Sequence, residues 1–452
     1  MLFVWVFLLF LPFRKDAILI YRIKTFFSKS QFGKNLLTLG SGTVFAQILP
    51  FLFYPVIARV FTPEEFGLLA TLTAIFTIMS NFASGRYELG VLVAKSKQDA
   101  VNLIAVVIVL CFVVLTVIYL ILQLFFADIL SDTLHEPQLK KWLFICPLSA
   151  FALIVFNTYN EWCVRNGFFK KLAINKITNA SAITFSKMLL GVVKVFSQGL
   201  VIGDLLGRFI SAGASVFRAL QQDAAAFKEI SIAGMKKVAK EFVEFPKYIM
   251  PGRLLNEIGK HLPVLLLGFY FNSAEVGYFS MTMLVVYGPV SMISFAIRDV
   301  FRQQANEEFL KKGNCRVFYL TILKNLSFIA LAGAVVLMFC MPYLFSIFVG
   351  KQWNTAAYYA QILTIPILLS FVSTPLFDVL IIANKLKFNF LWQAYYMLIT
   401  FVSLWVGCVL YKDVVVAIYC LAAGRSSAYL LSIFLSYYFS GNKTVSQHIN
   451  TE

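Results

Sequence analysis

The chain has 452 residues, of which 60% are hydrophobic and only 13% are charged. Soluble domains carry about 25% charged residues, so this composition excludes an ordinary soluble protein. The net charge of +17 would suit a nucleic-acid-binding protein, but the positive residues follow the pattern of membrane topology, and we predict no nucleic-acid partner.

Apolar runs of about 20 residues predict transmembrane helices along nearly the whole chain. Residues 1–13 are apolar but too short to span a bilayer. Either residues 1–30 form an interfacial extension or they do not belong to the native protein. Twelve spans follow, at 36–58, 66–84, 101–126, 142–160, 173–195, 199–217, 248–271, 276–297, 319–349, 356–382, 389–410 and 414–438. The predicted fold class is an all-α polytopic membrane protein.

The distribution of Lys and Arg predicts the orientation of these spans. With the N-terminus in the cytoplasm, 28 of the 39 Lys and Arg residues lie in cytoplasmic segments and five lie on the opposite side. Cytoplasmic loops of membrane proteins carry such an excess of positive residues. We therefore predict that both termini are cytoplasmic and that the protein is multi-pass.

The two halves of the chain carry matching features in the same order. They are Leu49-Pro50 and Leu262-Pro263, Gly67 and Gly277, Arg86 and Arg298, and Gly207-Arg208 and Gly424-Arg425. Because six spans separate the repeats, both halves enter the membrane in the same direction, and transporters with such repeats bind substrate between them. We predict two pseudo-symmetric lobes of six helices, at 31–220 and 248–440, joined by a cytoplasmic linker at 221–247 and followed by a cytoplasmic tail at 441–452.

The seventh predicted span, 248–271, carries five polar residues within its apolar run. They are Arg253, Asn256, Glu257, Lys260 and His261, and their spacing of three, four, seven and eight residues places them on one helix face. A charge at the centre of a bilayer costs at least ~2.5–3.5 kcal/mol. This face must therefore meet a wet cavity or a partner, and it is a candidate site.

The other ionisable residues predicted within spans are mostly positive. They are Lys187, Lys194, Arg208, Asp378 and Arg425. Together with the seventh span this gives six cations against two acids. Arg binds phosphate oxygens through two hydrogen bonds and Lys acts as a point charge, so this excess favours an anionic cargo. A cleft built for cationic drugs would instead carry an acidic excess.

The first two spans resemble a known family. Residues 36–103 contain Gly40 and Gly42, the loop 61–67 (Phe-Thr-Pro-Glu-Glu-Phe-Gly) and the triplet 86–88 (Arg-Tyr-Glu). This pattern resembles Wzx-type polysaccharide-biosynthesis flippases of the multidrug/oligosaccharidyl-lipid/polysaccharide (MOP) exporter superfamily. The resemblance implies a MATE-like fold in the bacterial inner membrane. It implies movement of undecaprenyl-pyrophosphate-linked oligosaccharide for O-antigen, capsule, common antigen or exopolysaccharide, with a polysaccharide polymerase and a chain-length regulator as further partners.

For such a cargo, the candidate residues divide by chemistry. Those expected to bind pyrophosphate or sugar are Arg253, Asn256, Lys260, Arg208, Arg425 and Lys187. Two alternatives stay open, namely that Arg253 and Glu257, one turn apart, neutralise each other, and that Arg208 and Arg425 extend to an interface. The candidates for proton coupling or ion pairing are Glu257, Asp378 and His261.

Charged pairs also stand at matched cytoplasmic ends of the second span of each half. Arg86 with Glu88, and Arg298 with Asp299, are candidates for a cytoplasmic gate, although anchoring by positive residues explains them equally well.

Two other functions compete with a flippase, a multidrug or cation antiporter of the same superfamily and a membrane-embedded polysaccharide polymerase. The longest outward loop, 127–141, contains no nucleophile–base arrangement, and we predict no enzyme activity. The seven cysteines show no metal-binding spacing, so we predict neither a metal nor another cofactor.

Overall fold

A computed structural model of the protein describes residues 31–126, 139–193 and 198–441. The predicted N-terminal extension, most of the outward loop 127–141, Lys194 and nearly all of the tail lie outside the described residues. Within these ranges the chain is helical and contains no β-strand.

The first ten α-helices run from residue 31 to residue 270. They are Gln31–Val60 (α1), Pro63–Ala83 (α2), Glu88–Val93 (α3), Lys97–Ile121 (α4), Leu139–Trp142 (α5), Ile145–Arg165 (α6), Phe169–Val193 (α7), Gly199–Phe227 (α8), Ile232–Glu241 (α9) and Met250–Tyr270 (α10). Short π-helical segments follow α4, at Leu122–Phe126, and precede α10, at Phe245–Ile249.

Eight further α-helices complete the described chain. They are Ser273–Thr282 (α11), Gly288–Lys312 (α12), Arg316–Phe348 (α13), Asn354–Ile362 (α14), Thr364–Leu376 (α15), Val379–Ile382 (α16), Leu386–Trp405 (α17) and Val414–Ser440 (α18). A π-helix at Met283–Tyr287 links α11 to α12, another at Val406–Tyr411 follows α17, and a 3₁₀ turn at Lys351–Trp353 precedes α14.

These helices confirm the predicted all-α polytopic fold. Ten helical segments within the described ranges are long and apolar enough to cross a membrane, judged by length and composition. The two other predicted spans, 173–195 and 248–271, correspond to α7 and α10, which are 25 and 21 residues long. Their charged and polar residues make them less apolar than the ten, yet each is long enough to span about 30 Å of hydrocarbon.

Contacts between Cα atoms divide the chain into two compact units. The N-terminal unit ends at Gly277, and the C-terminal unit contains the described residues from Tyr278 onward. Helix α10 belongs to the N-terminal unit because it packs against α2. The lobe boundaries drawn from the sequence repeat stay a prediction.

Small residues at every fourth position of α8 bring it against the backbone of α7. A Cβ atom on Gly203 would lie 2.7 Å from the Cα of Lys187, and one on Gly207 would lie 2.3 Å from the Cα of Ile183. Ser211 and Ser215 continue the same row and are fully buried. Such rows of small residues allow transmembrane helices to approach closely. This packing fixes the polar side chains of α7 and α8 relative to one another.

The repeat-related glycines Gly67 and Gly277 meet in the N-terminal unit. A Cβ on Gly67 would lie 1.8 Å from the carbonyl oxygen of Ser273, and a Cβ on Gly277 would lie 1.9 Å from that of Pro63. The two contacts are reciprocal, since each glycine approaches the first residue of the other's helix. Only glycine fits at either position without moving the backbone. This pairing of equivalent residues supports the sequence repeat.

Candidate functional site

Helix α10 presents the polar face that its spacing predicts. It is an uninterrupted α-helix from Met250 to Tyr270, with Pro263 inside it. Arg253 and Lys260 are exposed, whereas Asn256, Glu257 and His261 are half-buried. The two cations of this face are therefore its most accessible groups.

The ion pair on this face differs from the one considered from the sequence. Lys260 Nζ lies 2.8 Å from Glu257 Oε1 and donates a hydrogen bond to it. Among the residues that the structure describes, no carboxylate forms an ion pair with Arg253. Glu257 thus offsets Lys260, and the positive charge of Arg253 remains uncompensated.

A buried ion triad joins α7 and α8. Asp204 Oδ1 lies 2.8 Å from Lys187 Nζ, and Asp204 Oδ2 lies 2.6 Å from Arg208 Nε. The three side chains are at most 15% exposed. The Arg208 guanidinium also stacks over the ring of Phe76, at 4.4 Å from its centroid. The close packing at Gly203 and Gly207 holds these groups together.

The triad changes how two predicted binding residues are interpreted. Lys187 and Arg208 share one carboxylate, so together with Asp204 they carry a single net positive charge. Asp204 was missing from the candidates drawn from the sequence. Asp204 lies four residues before Arg208, which is the spacing of an ion pair along a helix. The sequence alone could therefore have indicated this pair.

We expect Asp204→Asn to destabilise the protein, because it leaves two buried cations without a counter-ion. Breaking a buried ion pair costs about 3–5 kcal/mol. Thermal unfolding in detergent, followed by labelling of the buried thiols, should show a lower midpoint for Asp204→Asn. Adding Lys187→Met should restore part of the loss. An unchanged midpoint for Asp204→Asn would mean that the triad contributes no stability.

In the C-terminal unit, Arg425 lies in the middle of α18. Its guanidinium lies 5.8 Å from the ring centroid of Tyr396. The Nε atom is buried and has no hydrogen-bond partner within the described ranges. No ion pair joins Arg425 to a carboxylate of the described chain. Arg425 is therefore a second cation without an acidic partner.

Asp378, a candidate for proton coupling, lies near the predicted gate residue Arg298. Arg298 Nε is 3.9 Å from Asp378 Oδ2, and Arg298 Nη2 is 3.5 Å from Asp299 Oδ1. Asp378 is 8% exposed, whereas Asp299 is on the surface. Arg298 is thus shared between two acids, and Asp378 has a cation within ion-pair distance.

The other predicted gate pair also forms. Arg86 Nη1 lies 3.1 Å from Glu88 Oε1 and donates a second hydrogen bond to Asn81 Oδ1. Gly85 and Arg86 both adopt positive φ, at 54° and 59°, which is unusual for arginine. Glu88 is 4% exposed and its Oε2 atom has no partner in the described chain. Both pairs exist, and their action as a gate stays a prediction.

The comparisons with known proteins agree with this architecture. The family described as "Polysaccharide biosynthesis protein" matches residues 56–358, and the chain belongs to that family. No individual curated protein matches the chain. The described part of the chain contains no group of three or more His, Cys, Asp or Glu residues placed to hold a metal ion.

Solved structures show the same fold at low sequence identity. The lipid II flippase MurJ in an inward closed conformation is 13% identical, with a TM-score of 0.67 over 88% of this chain and 87% of that one. An inward-facing multidrug resistance MATE transporter of the MOP superfamily is 12% identical, with a TM-score of 0.60 over 87% and 94%. The MATE multidrug transporter DinF-BH is 13% identical, with a TM-score of 0.58 over 89% and 95%.

The family match confirms the predicted relationship to polysaccharide-biosynthesis proteins, and the solved structures confirm the predicted fold. The chain is a multi-pass membrane protein of a polysaccharide-biosynthesis family, and its structural relatives are transporters and flippases. At these identities the structures establish the fold, while the chemistry must come from the residues of this chain.

Proposed function

We propose that the protein is a Wzx-type flippase that moves an undecaprenyl-pyrophosphate-linked oligosaccharide from the cytoplasmic to the periplasmic leaflet. The observation that best supports this proposal is the exposed cationic face of α10. There, Arg253 has no acidic partner among the described residues, and Lys260 has only Glu257. A helix predicted to cross the bilayer would not retain such groups without a polar partner.

The charge balance of the embedded groups supports an anionic cargo. The pair Glu257–Lys260 is neutral and Arg253 adds one positive charge. The triad on Asp204 adds one more, and Arg425 a third. A pyrophosphate carries about two negative charges, which the two excess cations of the N-terminal unit would compensate. With Asp204 included, three acids within the predicted spans, Asp204, Glu257 and Asp378, stand against the six cations counted from the sequence, so the excess of positive charge persists.

The proposed mechanism is alternating access by a polar headgroup through a cationic cavity. Arg253 would bind phosphate oxygens through two hydrogen bonds, and Lys260 would act as a point charge. Asn256, which both donates and accepts hydrogen bonds, suits sugar hydroxyls. The lipid tail would stay in the bilayer while the headgroup crosses. Glu257, His261 and Asp378 remain candidates for coupling to protons.

This function implies an inner-membrane protein with both termini in the cytoplasm. It would supply a polysaccharide polymerase and a chain-length regulator on the outer side, in the synthesis of O-antigen or a related surface polysaccharide. The principal alternative is a multidrug antiporter, because MATE transporters share the fold. A polysaccharide polymerase is the weaker alternative.

Deletion of the gene tests the proposal. We expect lipid-linked repeat units to accumulate on the cytoplasmic leaflet and surface polysaccharide to disappear. Mass spectrometry of extracted lipids gives the amount, and accessibility to an external glycosidase gives the leaflet. Single repeat units accumulating outside would instead indicate a polymerase. Altered drug sensitivity with normal polysaccharide would indicate an antiporter.

A further inference from the structure

Aromatic side chains surround Arg425 in the C-terminal unit. Tyr396 and Tyr429 place their ring centroids 5.7 Å apart and their hydroxyl oxygens 3.4 Å apart. Trp392 lies beside both with its ring tilted to theirs, at centroid distances of 5.4 Å from Tyr396 and 6.4 Å from Tyr429. Tyr287 lies close enough to interact electrostatically with Arg425. We call this group the tyrosine–arginine cluster; it consists of Tyr287, Trp392, Tyr396, Arg425 and Tyr429.

Arg425 lacks the acidic partner that Arg208, its equivalent in the sequence repeat, possesses. Gly207-Arg208 and Gly424-Arg425 occupy the same place in the two halves, and each glycine packs tightly on the preceding long helix. A Cβ on Gly424 would lie 2.7 Å from Ser403 Oγ of α17, as one on Gly207 would meet α7. Four residues before Arg208 stands Asp204, whereas four residues before Arg425 stands Leu421. Arg425 is left with tyrosines in place of an acid.

The cluster lies near the middle of two predicted membrane-spanning helices and is partly exposed. Arg425 is the twelfth of 27 residues in α18, and Tyr396 is the eleventh of 20 in α17. Both are therefore near the middle of their helices, where transporters place substrate. Tyr429 is buried, whereas Tyr287, Trp392, Tyr396 and Arg425 are half-buried. Tyr287 ends the π-helix Met283–Tyr287, a type of segment frequently found at functional sites.

The chemistry of these groups fits a sugar ring. A pyranose has a face of C–H groups that packs against an aromatic ring, and hydroxyls at its edge that need hydrogen-bond partners. Tyr396 and Tyr287 offer partly exposed rings with hydroxyls that both donate and accept. Arg425 offers donors only, and its Nε atom is buried without a partner in the described chain. Donors of this kind suit sugar oxygens or an acidic sugar substituent.

We propose that the tyrosine–arginine cluster is a carbohydrate subsite that binds a sugar of the lipid-linked oligosaccharide. This inference rests on the proposed function and adds to it a set of residues for the sugar that differs from the cations of α10. Tyr396 stacks on the sugar ring, Arg425 donates to its oxygens, and Trp392 holds the rings in place. The Trp392 indole is fixed for this task, because its Nε1 donates a 2.7 Å hydrogen bond to the carbonyl of Ala428.

The test measures binding of two lipids to the purified full chain. One is undecaprenyl pyrophosphate, and the other is the lipid-linked repeat unit purified from the source bacterium. We expect the wild-type protein to bind the sugar-bearing lipid more tightly. Tyr396→Leu should weaken that binding about tenfold, the size of one aromatic contact, and leave undecaprenyl pyrophosphate binding unchanged. Tyr396→Phe should retain most of the affinity because it keeps the ring.

Controls separate the possible failures. Tyr438→Leu, on an exposed tyrosine of the same helix as Arg425, should change neither affinity. If Tyr396→Leu and Arg425→Gln both keep the preference of the wild type for the sugar-bearing lipid, the subsite is refuted, while the proposed flippase function is not. Failure of the wild type to bind either lipid would overturn both. Thermal unfolding of each variant shows whether the fold is intact.

Discussion

Replacing both Arg253 and Lys260 with alanine is expected to abolish surface polysaccharide without reducing the amount of protein in the membrane. Both side chains are exposed, so their removal creates no cavity. A hydrogen bond to a charged group contributes about 1.5–3 kcal/mol, so losing two should lower transport by at least about a hundredfold. The measurement is the surface polysaccharide of a deletion strain carrying the variant.

Two controls make this result specific. The charge-retaining double variant Arg253→Lys and Lys260→Arg should keep partial transport. Both positive charges remain, but the group that can form two hydrogen bonds to a phosphate is now at position 260 and no longer at position 253. The double variant Lys311→Ala and Lys312→Ala removes two exposed cations of α12, each paired with a glutamate four residues earlier, and should transport normally. Normal polysaccharide in the Arg253→Ala and Lys260→Ala strain would refute the binding role of α10.

The second large effect is expected at the packing of α7 against α8. Gly207→Ala places a methyl group where the Cα of Ile183 would be 2.3 Å away, so the two helices must separate. Overpacking of this kind costs about 1–3 kcal/mol, and the movement also strains the triad on Asp204. We expect a clearly lower unfolding midpoint and reduced transport.

Gly213→Ala is the matched control on the same helix. A Cβ at Gly213 would meet no atom within 4 Å. Alanine is favoured over glycine within a helix by about 1 kcal/mol, so this variant should be as stable as the wild type or more so. The measurement is thermal unfolding of both variants in detergent, with transport assayed in cells. Equal midpoints for Gly207→Ala and Gly213→Ala would show that the close approach of α7 and α8 is unimportant.

The helices could be predicted from the sequence because the bilayer imposes a length and a composition on each span. Each of the twelve predicted spans has a helical counterpart in the described ranges, including α7 and α10, which carry several charges. The face of α10 was equally predictable, since helical spacing alone places Arg253 and Lys260 together.

The partners of the charged groups were less predictable. Glu257 has cations three residues after it and four residues before it, and helical spacing allows either pair. The structure shows the pair with Lys260, a choice of side-chain conformation that depends on the surroundings of the helix. The contact between Asp204 and Lys187 joins two helices, and it depends on how closely the glycines of α8 allow them to approach.

The tyrosine–arginine cluster lay beyond sequence reasoning for the same reason. Tyr396 and Trp392 are four residues apart on α17, but Tyr429 and Tyr287 come from other segments. The packing of α18 on α17 brings Trp392 and Tyr396 to Arg425, whereas Tyr429 shares α18 with it. Arg425 itself was a predicted candidate, and the structure adds its aromatic surroundings.

The central claim is that the chain carries a lipid-linked pyrophosphate sugar across a bilayer, and reconstitution tests it most directly. Purified protein in liposomes should move the lipid-linked repeat unit from the inner to the outer leaflet, where a lectin or an added glycosidase detects it. We predict transfer well above that of protein-free liposomes, and loss of this excess in the Arg253→Ala and Lys260→Ala variant. Transfer by the wild-type protein no faster than in protein-free liposomes would contradict the claim.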